Sequence, residues 1–429
     1  MSGEVRLERA DRSQVRLEAV DLEALVSGDH RVRSIWAFVA GLDLSPLHAA
    51  VRSREGQAGR PAIDPAILVC LWLYATLENV GSARELARLT RAHVAYRWIC
   101  GGVEVSYHTL SDFRVNQAEF LDALLTRSVT ALMEAGVTSL EEIAQDGLRT
   151  RASAGGASFR RRPTLEQKLA AARERVERLK GEAQSDPAAS SKRRAAAQAR
   201  AAQEAVQRAE AALEAMKQIE KRKAARKKSG KDGDKQSPAR ASLTDPEARV
   251  MKMADGGFRP AYNLQIAMDT RSGAVVGVQV SNDGSDKGLI MPMVKQIKQR
   301  LGRLPDRWLA DTGFASNAVA EQLAAASEHG VQAYMPIPTG FDARPAAIPP
   351  ASMPRARAWR ERMTGEPAKA IYKRRGLVEW VNAGMRNRGL VRLTVRGMAR
   401  TRAILLWQAL VHNLLCLQRN GIRTIPAAA

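Results

Sequence analysis

The chain has 429 residues, with 67 Lys and Arg against 45 Asp and Glu, a formal net charge of +22, and only three Cys. At roughly 100 to 200 residues per domain this length allows two or three domains and excludes a small stapled scaffold. Cys70, Cys100 and Cys416 are odd in number and widely spaced, which argues against a disulfide framework or a zinc finger and for a reducing compartment. No apolar run reaches the roughly 18 residues of a membrane span, and the first turn-lengths of chain carry acids rather than a signal-peptide core, so a cytoplasmic protein without a membrane partner is expected. The excess of positive charge calls for an anionic partner, with nucleic acid the default and a generic cationic surface the alternative.

Residues 1–137 read as a helical domain. Asp64-Pro65 is an N-cap followed by Pro at the first helical position, opening the apolar run Ile67 to Leu77. Ser82-x-x-Glu85 has the form of a capping box ahead of Leu86 and Leu89, and places Arg84, Arg88 and Arg91 on or near the solvent side of a short helix. A third helix carries Phe120, Leu121, Leu124, Val129 and Leu132. Short helices with exposed arginines suit a helix-turn-helix-like domain, although any basic bundle shares that pattern. Gly59-Arg60-Pro61 is either a basic turn or an arm that touches phosphate through Arg60.

Residues 161–240 form a compositional island rich in Ala, Arg, Lys, Glu and Gln. Leu165, Leu169, Val176 and Leu179 keep helical spacing, and Ser185-Asp186-Pro187 separates them from a longer helix through Leu213 and Met216. The spacing predicts a helical, coiled-coil-like hairpin. It runs into Lys221–Lys235, eight basic residues against two acidic, which is either a solvated tail or a DNA-gripping arm.

Residues 138–160 and 241–420 then supply a mixed α/β plan, ahead of a short tail at 421–429. Ile143-Ala144-Gln145 is the first strand. Residues 262–268 and 274–280 flank the turn Asp269-Thr270-Arg271-Ser272-Gly273 as a hairpin. A helix from about Leu289 to Leu301, a strand at Arg307 to Ala310, a helix near Ala318 to Ala325, a strand at Gln332 to Ile337 and a long helix from about Lys369 follow. Trp308 and Ala310 share one strand face, and Trp308 reads as core. Leu405 to Leu417 read as a closing helix packed on the sheet.

Three carboxylates converge in this plan: Asp146 at the end of the first strand, Asp311 at the end of another, and Glu379 on the late helix. Neighbouring strand ends meet at one sheet edge, and oxygen-rich groups there suit Mg²⁺ and two-metal phosphoryl transfer. At 100° per residue, Tyr372, Arg375, Glu379 and Arg386 fall within an arc of about 60°, opposite Leu377, Val378, Val381 and Met385. Such a helix either presents its charged stripe to a site or leaves it in solvent. Asp269, Asp283 and Asp286 read as turn and cap residues, and His108 as a surface residue.

Tyr372-x2-Arg375-x3-Glu379-x6-Arg386 resembles the Y-x2-R-x3-E-x6-K signature of bacterial insertion-sequence transposases of the DDE type, with Arg in the place of the usual Lys. Asp146-Gly147-Leu148-Arg149 looks like the first-aspartate segment of that family and Ala310-Asp311-Thr312-Gly313-Phe314 like its second. Residues 245–252 and 262–265 look like the segments between them, and Gly59 to Phe113 resembles the helical domain that precedes the catalytic one.

The resemblance implies an RNase H-like core that binds two Mg²⁺ ions, with Mn²⁺ able to substitute, through Asp146, Asp311 and Glu379. It implies cleavage and joining of double-stranded DNA at the terminal inverted repeats of a mobile element and at a target, by a homo-oligomer associated with the bacterial nucleoid. Tyr372, Arg375 and Arg386 would contact DNA near the chemistry, and Arg60, Arg84, Arg88 and Arg91 further away. A non-catalytic DNA-binding relative or repressor, and a nuclease that hydrolyses without joining, are the alternatives.

Overall fold

The computed structural model describes residues 19–53, 61–185, 192–228, 238–338 and 348–422. Arg60 and Gly59, and the 229–235 part of the basic run, lie outside them.

Seven helices come first: α1 Arg31–Ala40, α2 Ser45–Ala49, α3 Pro65–Leu77, α4 Ala83–Ala92, α5 Val94–Cys100, α6 Tyr107–Asn116 and α7 Ala118–Glu134. Helix α3 begins where its cap and proline place it, with Asp64 Oδ1 accepting from the Ala66 N–H at 2.8 Å. Ten of its 13 residues are buried, so this helix is the centre of the bundle rather than an amphipathic wall. The start of α4 uses half of the expected capping box. Ser82 Oγ accepts from the Glu85 N–H at 3.4 Å, while the Glu85 carboxylate turns to Arg88 instead of back to the cap.

The sheet is built from β1 Glu142–Arg151, β5 Phe258–Asp269, β6 Val275–Ser281, β7 Arg307–Leu309 and β8 Gln332–Tyr334, with the short β4 Arg249–Lys252 extending the β5 edge. Across it the order is β6, β5, β1, β7, β8. The three long strands are antiparallel, and β7 and β8 run parallel to β1. Helices α10 Ile290–Leu301, α11 Asn317–Ala324 and α12 Pro354–Thr364 cover one face; α13 Glu366–Lys373, α14 Leu377–Asn387 and α15 Met398–Arg419 follow in the chain. Ile143, Trp308 and Ala310 pack into the first of these layers. Ala144, Leu148 and Leu309 pack into the second together with Val378, Val381 and Met385 of α14, the alternation that a strand imposes. Trp308 is fully buried, as its place in the strand predicts.

Between β2 Phe159–Arg160 and β3 Ala241–Ser242, which pair antiparallel, the chain forms α8 Arg162–Ser185 and α9 Lys192–Lys228. Arg162 pairs with Glu220 and Arg173 with Glu210, so the two helices run antiparallel. Their shared core is slight: Leu165, Ala212 and Met216 against Ala241.

The structure departs from the sequence expectations at four places. First, β1 does not stop near Asp146, because β5 continues to pair with it as far as Arg151 opposite Ala261. Second, the expected single helix from Lys369 is broken: Arg374–Gly376 tightens to a 3-10 turn between α13 and α14, where the Arg374 side chain is drawn to the buried Glu142. Third, α12 carries no clear apolar period and was not anticipated. Fourth, Leu377 is exposed rather than packed. Helix α15 does more than close the sheet. It packs on β6 and also on α3, α6 and α7, joining the helical region to the sheet.

That joint has a charged clasp. Asp122 of α7 accepts from Arg300 of α10 at 2.6 Å and from Arg402 of α15 at 2.9 Å, and the Arg300 side chain is only 3% exposed. Asp122→Ala leaves that guanidinium short of its counter-charge. The expected loss is about 2 kcal/mol of stability, from the scale of a hydrogen bond to a charged group, read from denaturant midpoints at constant slope.

Candidate catalytic site

The parallel pairing of β1 with β7 ends at Ala144 opposite Leu309. Asp146 and Asp311 each stand two residues beyond that last pair, so register alone brings them to neighbouring positions where the ladder opens. Asp146 is mostly buried, and its carboxyl is pushed up to about 6. Burial is the main cause, with Asp311 and Asp286 adding like charge, while the Gly147 N–H and the Arg375 guanidinium pull the other way. The Gly313 N–H donates to Asp311 Oδ1 at 2.8 Å, which fixes the second carboxylate against its own glycine turn.

The signature residues gather on the same side. Arg375 reaches Glu379 Oε1 at 2.6 Å, with the arginine side chain 15% exposed and the glutamate 65%. The half-buried Tyr372 hydroxyl feels Arg375, Asp311, Asp146 and Glu379, and its pKa is raised chiefly by burial. Arg386 is exposed at the end of α14. Thus Asp146, Asp311, Tyr372 and Arg375 come together. Glu379 lies at the rim, held by Arg375 instead of turned onto the two aspartates. Among the described residues, no three His, Cys, Asp or Glu side chains are gathered closely enough to hold a metal ion.

Arg84, Arg88 and Arg91 are exposed on α4, as expected. Arg88 is engaged by Glu85, and Arg84 lies 5.2 Å from the centroid of the Tyr107 ring. His108 is exposed beside Tyr107.

Two residues at the site escaped the sequence reading. Asp286, in the loop before α10, is not a simple cap. Its Oδ1 accepts from Asn263 Nδ2 at 2.7 Å and Gln265 Nε2 at 2.9 Å, and Arg149 lies 3.8 Å from its Oδ2. A Cβ on Gly147 would meet Asp286 Oδ1 at 2.5 Å, and one on Gly313 would meet its Oδ2 at 3.6 Å. The bare glycines after the two aspartates therefore admit this third carboxylate between them. Of its companions, Asp269 is a turn residue as expected, accepting from the Ser272 N–H and Oγ at 2.8 Å, and Asp283 pairs with Arg222 of α9.

Asn382 is the other. It is 5% exposed, and its Nδ2 donates to Asp146 Oδ2 at 2.9 Å, while its Oδ1 has no partner. At about 280° on the wheel that starts from Tyr372 it falls just outside the charged arc, and that offset was the available signal. Asp146, Asp311 and Asp286 offer oxygen ligands, the chemistry a hard divalent cation prefers, and the buried Oδ1 of Asn382 has no partner among the described residues. In composition the site fits such an ion.

The comparisons with known proteins bear on the same segments. Residues 220–414 match the transposase DDE domain family, and residues 20–116 match a second family described as a transposase domain (DUF772). The chain belongs to the insertion-sequence DDE transposases. The first match takes in Asp286, Asp311, Tyr372, Arg375, Glu379, Asn382 and Arg386, and Asp146 precedes it. No curated protein and no solved structure matches the chain. The family carries an RNase H-like fold, acts on DNA by cutting and joining it, and uses divalent metal ions. In this transposase no helix among the described residues is long and apolar enough to cross a membrane.

The raised carboxyl of Asp146 has a testable sign. Between the unfolded value of 3.8 and about 6, the folded state binds more protons than the unfolded one, so stability falls as pH rises through that window. The contribution is about 2–3 kcal/mol. Without divalent metal, wild type is expected to lose about 2 kcal/mol of this between about pH 4.5 and about pH 7.5 relative to Asp146→Asn, which cannot titrate; parallel denaturant melts of the two proteins measure it.

Proposed function

We propose that this transposase cleaves the ends of its element and joins them to target DNA by two-metal phosphoryl transfer, with Asp146, Asp311 and Glu379 holding Mg²⁺ or Mn²⁺. The observation that supports the reading best is the juxtaposition of Asp146 and Asp311 just past the end of the parallel ladder, with Tyr372 beside both and Arg375 beside Asp146. Divalent cations bound there would supply an activated water or 3′-hydroxyl and a neutralised leaving oxygen.

The chain's own residues do the rest. Arg375, little exposed, balances the crowded carboxylates and offers a guanidinium to a phosphate. For Glu379 to join the aspartates, its pair with Arg375 must open, and the arrival of DNA phosphate on Arg375 is a change that would release it. Tyr372 stands beside the same charges and can donate to a phosphate oxygen. Arg386, at the exposed end of α14, extends the contact along the DNA backbone. Arg60, Arg84 and Arg91 would grip DNA from the helical domain at 1–137, with Arg88 joining once Glu85 lets go. The catalytic domain comprises 138–160 and 241–420 and is interrupted by the helical segment 161–240. Two element ends must be held together, which calls for a homo-oligomer on DNA.

The test is nicking of a labelled duplex that carries the element's own end, in Mg²⁺ or Mn²⁺. Asp146→Ala and Glu379→Gln are each expected to lower nicking at least about 100-fold and to leave duplex binding within about twofold. Strand-joined products in the wild-type reaction distinguish a transposase from a plain nuclease. Tight binding without cleavage by wild type in either metal would replace this reading with the binding-protein one.

A further inference from the structure

We propose that Asn382 is the positioning residue of the first aspartate, its Nδ2 fixing one Asp146 oxygen and its Oδ1 offering a seat to a hydrated divalent cation at that carboxylate. The inference rests on the metal-dependent reading above and deepens it.

The geometry allows one orientation of this amide. Turning it over would set Oδ1 against Asp146 Oδ2, two acceptors face to face. The 2.9 Å hydrogen bond therefore determines where Oδ1 lies as well as where Nδ2 does. That oxygen is buried and unpartnered among the described residues, a condition that native structures seldom tolerate without a ligand, water or ion to relieve it. Arg375, in the turn just before this helix, is directed to Glu379 and does not serve it. An unpartnered amide oxygen on the group that also holds a carboxylate oxygen suits a divalent cation or one of its bound waters.

Packing alone does not account for an amide here. Val378, Val381 and Met385, the other buried positions of α14, are apolar and meet the sheet. Leucine at 382 would serve that contact as well. It would leave Asp146 with no side-chain donor and no fixed rotamer. Asn382 also lies three residues after Glu379, so one rigid turn of helix links the first aspartate to the glutamate. The position of that turn is then communicated to both carboxylates.

Full-length Asn382→Ala, Asn382→Leu and Asn382→Ser proteins separate the roles. Mn²⁺ binding, measured by the electron paramagnetic resonance of the free ion, is the first readout, and half-saturating Mg²⁺ in nicking is the second. Ala and Leu variants are expected to weaken Mn²⁺ about tenfold and to raise half-saturating Mg²⁺ in step, with duplex-end binding unchanged. Ser, which can still donate and accept, is expected to recover part of both. A folded Leu variant with wild-type Mn²⁺ affinity and wild-type Mg²⁺ dependence overturns the proposal and leaves Asn382 a packing residue, even if Ala proves unstable. Wild type that neither binds Mn²⁺ nor nicks overturns the two-metal reading itself, so the two failures are distinct.

Discussion

One buried carboxylate holds the catalytic half of this transposase in register. Glu142, 5% exposed at the start of β1, accepts from Arg374 Nε at 2.7 Å and from Thr270 Oγ1 at 2.8 Å, and lies 3.5 Å from Arg307. It therefore ties together four places: the first strand, the turn after β5, the start of β7 and the turn between α13 and α14. Burial would push its pKa up, but the hydrogen bonds from Arg374 and Thr270 and the two guanidinium charges outweigh that and hold it below its ordinary value. A charge so deeply placed is tolerable only when its partners are complete. The site inherits its geometry from this knot. With Arg374 pulled down to the sheet, the next arginine is left to face Asp146, and α14 restarts at the angle that brings Asn382 onto the same carboxylate.

The second constraint is the open end of the parallel ladder. The β7 strand is only three residues long, whereas β1 has ten and continues against β5. Past Leu309 the backbone of β7 turns away through Thr312 and Gly313, and the space it leaves is filled by carboxylates. Two glycines keep the space open to a third acid, Asp286, which arrives from the far side of β5 on the amides of Asn263 and Gln265. The site is thus a place where regular hydrogen bonding has been given up for charge, and Arg149 and Arg375 are its compensation.

Much of this was legible from the order of residues. Asp64-Pro65 and Ser82 marked helix starts because caps are local chemistry. The hairpin around Asp269-Thr270-Arg271-Ser272-Gly273 was legible for the same reason, and Trp308 was placed in the core by alternation alone. What escaped depends on distance in the fold. The outer half of β1, Gly147 to Arg151, has no apolar alternation and is a strand only because β5 supplies a partner. The break at Arg374–Gly376 was hidden because helical spacing runs through it unaltered, and its cause, Glu142, lies 232 residues away. Asp286 looked like a cap because nothing nearby in the chain reveals two amides contributed by another strand. Of the three carboxylates expected to meet, Asp146 and Asp311 are neighbours in the fold because strand register sets them there. Glu379 is not turned onto them, because its side chain is committed to Arg375 in the turn four residues earlier, an attraction any such pair would show.

The long helical pair α8–α9 leaves and re-enters the fold through β2 and β3, where Phe159 lies opposite Ser242 and Arg160 opposite Ala241. Its two ends are therefore already closed on each other by hydrogen bonds, whatever stands between them. In evolutionary terms this is a socket: beyond the contacts at its base, the sheet imposes no length on what is plugged into it. Shortening or exchanging the outer part of that projection would leave the strands in place, while its base stays tied to the fold through the Arg222–Asp283 pair.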